Sequence, residues 1–184
     1  MIAHPTLIVV AHRPAYTSDQ PRAALVHDWR HLQALAETAV QSGLPTLCVI
    51  PASLGPLPVA LPANCTVLEH RAQPAWAIEP GIAQAVQATA NSPGWLILPS
   101  QGAVPSCATI HAVAEALKTN PMAAPSVRGL RACPLGFGPE FYSELIRLQD
   151  GGGLDRLLAR YPHVDVSMDA MPGHLAPPPM ARHH

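Results

Sequence analysis

The strongest constraint on this 184-residue chain is the alternation of two hydrophobic periodicities. Short strand-like runs recur along it: TLIVVA at 6–11, TLCVI at 46–50, TVLEH at 66–70 and WLIL at 95–98. Runs this short, rich in β-branched residues, read as strands, and the fully apolar ones as strands covered on both faces. Between them the apolar residues fall at helical spacing. From residue 22 they are Leu25, Trp29, Leu32, Ala36, Ala39 and Val40, and Gly43 closes the helix. IAQAVQATA at 82–90, preceded by Pro80 and Gly81, reads as a second helix. Ser106 is placed to cap a third, whose stripe is Ile110, Val113, Ala114 and Leu117. Strands alternating with helices pack as a mostly parallel sheet between two helical layers, a three-layer α/β/α sandwich.

The remaining segments fit the same plan. Residues 51–65 are dense in proline and read as an irregular surface connection. PSVRG at 125–129 reads as an edge strand, followed by a glycine-rich turn. Phe141, Leu145 and Leu148 suggest a further helix, LDRLLARY at 154–161 another, and VDVSM at 164–168 a last strand. One domain over 1–175 is expected, with 176–184 a proline-rich tail.

The chain is 48% apolar, enough for a sizeable core, while charged residues make up only 12%. A formal net charge of −1 and the lack of Lys/Arg runs give no basic field for nucleic acid and no cationic face for a membrane. No apolar stretch approaches the ~18–20 residues of a bilayer span. The opening MIAHPTLIVV has no basic leader, which points to the cytoplasm. Four cysteines, Cys48, Cys65, Cys107 and Cys133, are far apart with no C-x-x-C pair, so reduced and mostly buried thiols are expected.

Three local patterns carry possible chemistry. HDWRH at 27–31 puts two histidines on one helical face with an acid after the first, as in H-E-x-x-H zinc sites. Asp28 is shorter than glutamate and no third ligand follows, so a solvated face beside the Trp29 stripe is the better reading. AHRPAYTSDQPR at 11–22 stands where a phosphate loop would be, yet lacks the glycines that let backbone amides wrap an anion. His12, Arg13 and Arg22 could supply the positive charge instead. Gly136 and Gly138, on either side of Phe137, suggest backbone pressed against a ligand or another segment.

Over about 95–169 the chain resembles the molybdenum-cofactor nucleotidyltransferases, the MobA-like NTP transferases. That family's order is a strand ending in G-D-M-P, a helix, a G-x-P-x-x-F turn, a helix, L-x-G-D-x-G and a final strand leading to D-I-D-T-P. Here the counterparts are WLILPSQGAVPSCATIHAVAEAL and RGLRACPLGFGPEFYSELIRLQDGGGLDRLLARYPHVDVSMD. The resemblance implies a Rossmann-like nucleotidyltransferase fold. It also implies transfer of a nucleoside monophosphate from CTP or GTP to molybdopterin, with magnesium bridging the phosphates. Matched position by position, His12 stands at the first glycine of the phosphate loop, with Arg13 beside it, and the family's lysine falls on Arg22. The metal-binding aspartate of G-D-M-P falls on Gln101, a poorer partner for a hard dication. Asp150 matches the L-x-G-D aspartate, and D-I-D-T-P falls in HLAPPP, which has no acid. Arg22 and Gln101 are thus the candidate catalytic positions, His12, Arg13 and Asp150 the candidate nucleotide contacts, and no metal ligand set is implied. Two readings follow: a nucleotidyltransferase, or a catalytically silent relative that binds a nucleotide, a pterin or a protein partner.

Overall fold

The structure, a computed structural model, describes residues 4–11, 22–52, 57, 59–71, 78–148 and 153–168, with side chains of the first helix described from Trp29 onward. Strand β1 (Thr6–Val10) is buried along its whole length, as the apolar run Leu7–Val10 requires. Helix α1 (Arg22–Gln41) follows and stops where Gly43 takes φ +75°, a left-handed conformation that costs glycine little. Then come β2 (Thr46–Pro51), β3 (Cys65–His70), α2 (Glu79–Ala88), β4 (Trp95–Pro99) and α3 (Cys107–Ala116). The carboxyl-terminal part holds β5 (Met122–Val127), β6 (Leu130–Arg131), β7 (Leu135–Phe137), a 3-10 turn at Pro139–Phe141, α4 (Tyr142–Leu145), α5 (Gly153–Arg160) and β8 (Val164–Ser167).

The strands form one sheet. β3, β2, β1 and β4 lie side by side and parallel; β7 joins β4 antiparallel, β5 joins β7 antiparallel, and β8 joins β5 parallel. Each face carries its own core. Alternate residues of the central strands, Ile8, Val10, Val49 and Ile97, pack with Trp95, Phe137 and the apolar faces of α2, α4 and α5. The intervening residues Leu7, Val9, Cys48, Leu96 and Leu98 pack with α1 and α3. This is the three-layer sandwich with a mostly parallel sheet that the alternating pattern predicts.

The expectation for 125–129 needs correcting. That segment is not an edge strand: β5 begins at Met122, all six of its residues are buried, and it has neighbours on both sides. Its sequence, MAAPSV, contains little that favours a strand. Tertiary cover decides its state rather than propensity. Beside it, β6 and β7 are two halves of one broken strand. Ser126 pairs with Arg131 and Ala123 with Gly136, so residues 132–135 oppose only 124–125. The bulge faces Pro125, which has no N–H to give the ladder, and the Pro125 carbonyl accepts from Ala132 N at 2.8 Å. The helix expected around Phe141 and Leu145 is a single α-turn continuing a 3-10 turn.

Gly136 shows what glycine does in that region. A Cβ there would stand 2.9 Å from Val113 Cγ1 and 3.1 Å from the Ala123 carbonyl. The close approach is therefore to α3 and β5, two other segments of the chain. Among the described residues, no helix is long and apolar enough to cross a membrane.

Candidate functional site

In an open α/β sheet, ligands bind outside the carboxyl ends of the strands where the strand order reverses. Here that point lies between β1 and β4. From β1 the chain moves through α1 to β2 and then β3 on one side, and β4 returns on the other. Three backbone hydrogen bonds bring the strand ends together. Ala11 N donates to the Val49 carbonyl at 2.8 Å, Ser100 N to the Val10 carbonyl at 2.9 Å, and Gly102 N to the Pro99 carbonyl at 3.1 Å. The last closes a tight turn that leaves Gln101 exposed at its tip, with Ser100 half-buried beneath.

Two further elements hold this turn. Helix α1 reaches it through His31, whose Nε2 lies 2.7 Å from the Gly102 carbonyl. A carbonyl can only accept, so Nε2 carries the proton. The bulge between β6 and β7 closes the other side: a Cβ on Gly102 would lie 3.7 Å from both Cβ and Sγ of Cys133. Burial pushes the Cys133 thiol up to about 11, so it stays a protonated packing group rather than a nucleophile. The turn then passes to Ser106, whose hydroxyl oxygen accepts from Thr109 N at 3.1 Å and caps α3 as its sequence position predicts.

His31 corrects the reading of HDWRH. It is half-buried and bonded to the strand-end turn rather than lying on a solvated face, and the side chains of His27 and Asp28 lie outside the described residues. Of the candidate site residues, the structure describes the surroundings of Gln101 alone. Arg22 is the first residue of α1, its side chain outside the description, and His12, Arg13 and Asp150 lie outside the described residues altogether, as do HLAPPP and 176–184.

One group at the strand ends was not singled out from sequence. His70 closes β3 opposite Pro51, is 2% exposed, and has neither ring nitrogen hydrogen-bonded among the described residues. Burial lowers its pKa, which keeps the ring neutral. Its ring packs on the first turn of α2, where a Cβ on Gly81 would stand 3.2 Å from Cδ2 and Nε2 and 3.0 Å from Val49 Cγ1. The only sequence signal was an unusual residue, histidine, at the end of an otherwise ordinary strand.

The magnesium ion implied by the family resemblance does not fit the described donors. Gln101, exposed at the tip of the strand-end turn, presents a neutral amide, a poorer ligand for a hard dication than carboxylate oxygen. Among the described residues, no three His, Cys, Asp or Glu side chains are grouped so as to hold a metal.

No protein-family model matches this chain, and no curated protein matches it. Solved structures do. Rv0371c of Mycobacterium tuberculosis H37Rv, in a complex with manganese, superposes with a TM-score of 0.72 at 16% identity, over 92% of this chain and 90% of that one. The 4-diphosphocytidyl-2C-methyl-D-erythritol synthase of Anaerococcus prevotii gives 0.61 at 10% identity, over 90% and 87%. The 2-C-methyl-D-erythritol 4-phosphate cytidylyltransferase of Thermus thermophilus gives 0.55 at 16%, over 92% and 90%. At these identities the likeness is one of fold: this chain has the Rossmann-like fold of nucleotidyltransferases.

Proposed function

We propose that this chain binds a ribonucleoside triphosphate, CTP or GTP, in the crevice at the carboxyl ends of β1 and β4. The reaction for which the site is built is transfer of the nucleoside monophosphate to a phosphorylated acceptor of the molybdopterin type. An acceptor phosphate oxygen attacks the α-phosphorus, the bond to the β-phosphate oxygen breaks, and pyrophosphate leaves. His12 and Arg13 would meet the phosphates directly after β1, Arg22 would offset charge on the departing pyrophosphate from the start of α1, and Asp150 would complete the nucleotide contacts. The observation that carries this reading is the strand-end turn at 100–102, tied to β1 through Ser100 N and to α1 through His31. The fold shared with a 4-diphosphocytidyl-2C-methyl-D-erythritol synthase and a cytidylyltransferase supports it.

A second reading is favoured by one residue. Gln101 occupies the place of the metal-binding acid, and charge stabilisation is often the largest part of such catalysis. A chain lacking it would bind nucleotide or pterin, or serve a protein partner, without turnover. Incubation with labelled CTP or GTP, magnesium and molybdopterin separates the two. Pyrophosphate release at enzymatic rates establishes transfer; saturable nucleotide binding by calorimetry without release establishes a silent nucleotide-binding relative; no binding of either nucleotide removes transfer and the nucleotide-binding form of the second reading.

A further inference from the structure

Among the described residues, Cys48 and Cys65 bring two thiols together away from the strand-end crevice. Both are free thiols, and their sulfurs lie 2.8 Å apart, within about 1 Å of the ~2.0 Å bond of a disulfide. They stand on neighbouring parallel strands. Cys65 opens β3 opposite Thr46, so Cys48 sits two residues further along β2 and the contact runs diagonally between the strands. Both side chains belong to the core cluster on the α1 side of the sheet. Their surroundings differ in one respect that matters for chemistry. Cys48 is fully buried, whereas Cys65 is 8% exposed and follows the exposed turn residues Ala63 and Asn64.

We propose that Cys48 and Cys65 form an oxidative modification site that a small peroxide converts to an intramolecular disulfide. Cys65, the less deeply buried of the two residues, attacks one peroxide oxygen. The O–O bond breaks, one water leaves, and Cys65 becomes a sulfenic acid. The Cys48 sulfur then attacks the Cys65 sulfur, the S–O bond breaks, and a second water departs with the Cys48 proton. Two thiols are oxidised and one peroxide is reduced to two waters. The hydrogen bond that the two sulfurs share raises the Cys48 thiol pKa and lowers that of Cys65, in the direction this order of steps needs. The product joins the edge strand β3 covalently to β2, at the amino end of β3 and away from the crevice.

Both cysteines fall in one tryptic peptide, residues 31–71, which contains no internal Lys or Arg. The purified full chain is treated with hydrogen peroxide, denatured, alkylated with iodoacetamide, digested and weighed with and without prior reduction. The expected result is a peptide that takes up no label at either cysteine until it is reduced, and two labels afterwards. In Cys48→Ser, which cannot close the bond, Cys65 should instead be trapped by dimedone as a sulfenic acid. The proposal is overturned if oxidised wild-type chain still takes two labels on 31–71. It is overturned equally if Cys65 passes to sulfinic acid without a disulfide, or if Cys65 pairs with Cys107 or Cys133.

Discussion

His31 in α1 and Gly102 in the turn after β4 are separated by 71 residues in sequence and joined by a hydrogen bond of 2.7 Å. The bond ties the helix that follows the first strand to the turn that ends the fourth, across the point where the strand order reverses. A ligand seated there would meet a wall positioned from both sides.

Removing that tie should loosen the turn more than the fold. His31→Ala is expected to lower stability by about 1 kcal/mol, the usual net value of one such bond. Affinity for CTP or GTP should fall several-fold, because turn 100–102 is no longer held. Urea unfolding and calorimetry read the two effects separately. Loss of stability with unchanged nucleotide affinity would place the ligand elsewhere.

Gln101 tests the missing charge. It is exposed, so Gln101→Asp should leave stability within about 0.5 kcal/mol of the parent. The variant should gain magnesium dependence in nucleotide binding, measured by calorimetry with and without the cation. Identical binding in both conditions would show that residue 101 does not stand at the metal position.

Gly81 is required by contact rather than by backbone conformation. Gly81→Ala would put a methyl 3.0 Å from Val49 Cγ1 and 3.2 Å from the His70 ring, so these side chains or α2 must give way by a few tenths of an ångström. A loss of about 1–3 kcal/mol is expected, as for other overpacked cores. Denaturant midpoints check it, and an unchanged midpoint would mean that α2 is free to shift at no cost.

His70 makes stability depend on pH. Its folded-state pKa is lowered by burial, from an ordinary value of 6.5. The unfolded chain therefore takes up the proton first. The His70 contribution is complete above about pH 6.5 and is lost progressively as the pH falls toward the lowered folded value. Melting temperatures between pH 8 and 5 should decline more steeply for the parent than for His70→Leu. Parallel curves would show that the ring titrates alike in both states.

Much of this arrangement was legible in the sequence because one physical signal controlled it. LIVV and WLIL are apolar at every position, so only a doubly covered sheet could bury them, and the Ser106 cap and the Gly43 stop marked their helices. β5 was misjudged because alanine, proline and serine owe their burial to neighbours distant in sequence, β7 and β8, which no local pattern announces. The same holds for the site. Gln101 was recognisable from its place after a buried strand. His31 was misread because its role depends on a carbonyl 71 residues away, and His70 was overlooked because its burial comes from the packing of α2.

The central claim is that nucleotide occupies the crevice between the ends of β1 and β4. Hydrogen exchange read peptide by peptide, with and without saturating CTP or GTP, tests it most directly. Binding should slow exchange in the turn at 100–105 and at the start of α1, leaving the β5–β6 hairpin unchanged. Protection confined to the hairpin and β8, with the turn unaffected, would contradict the account.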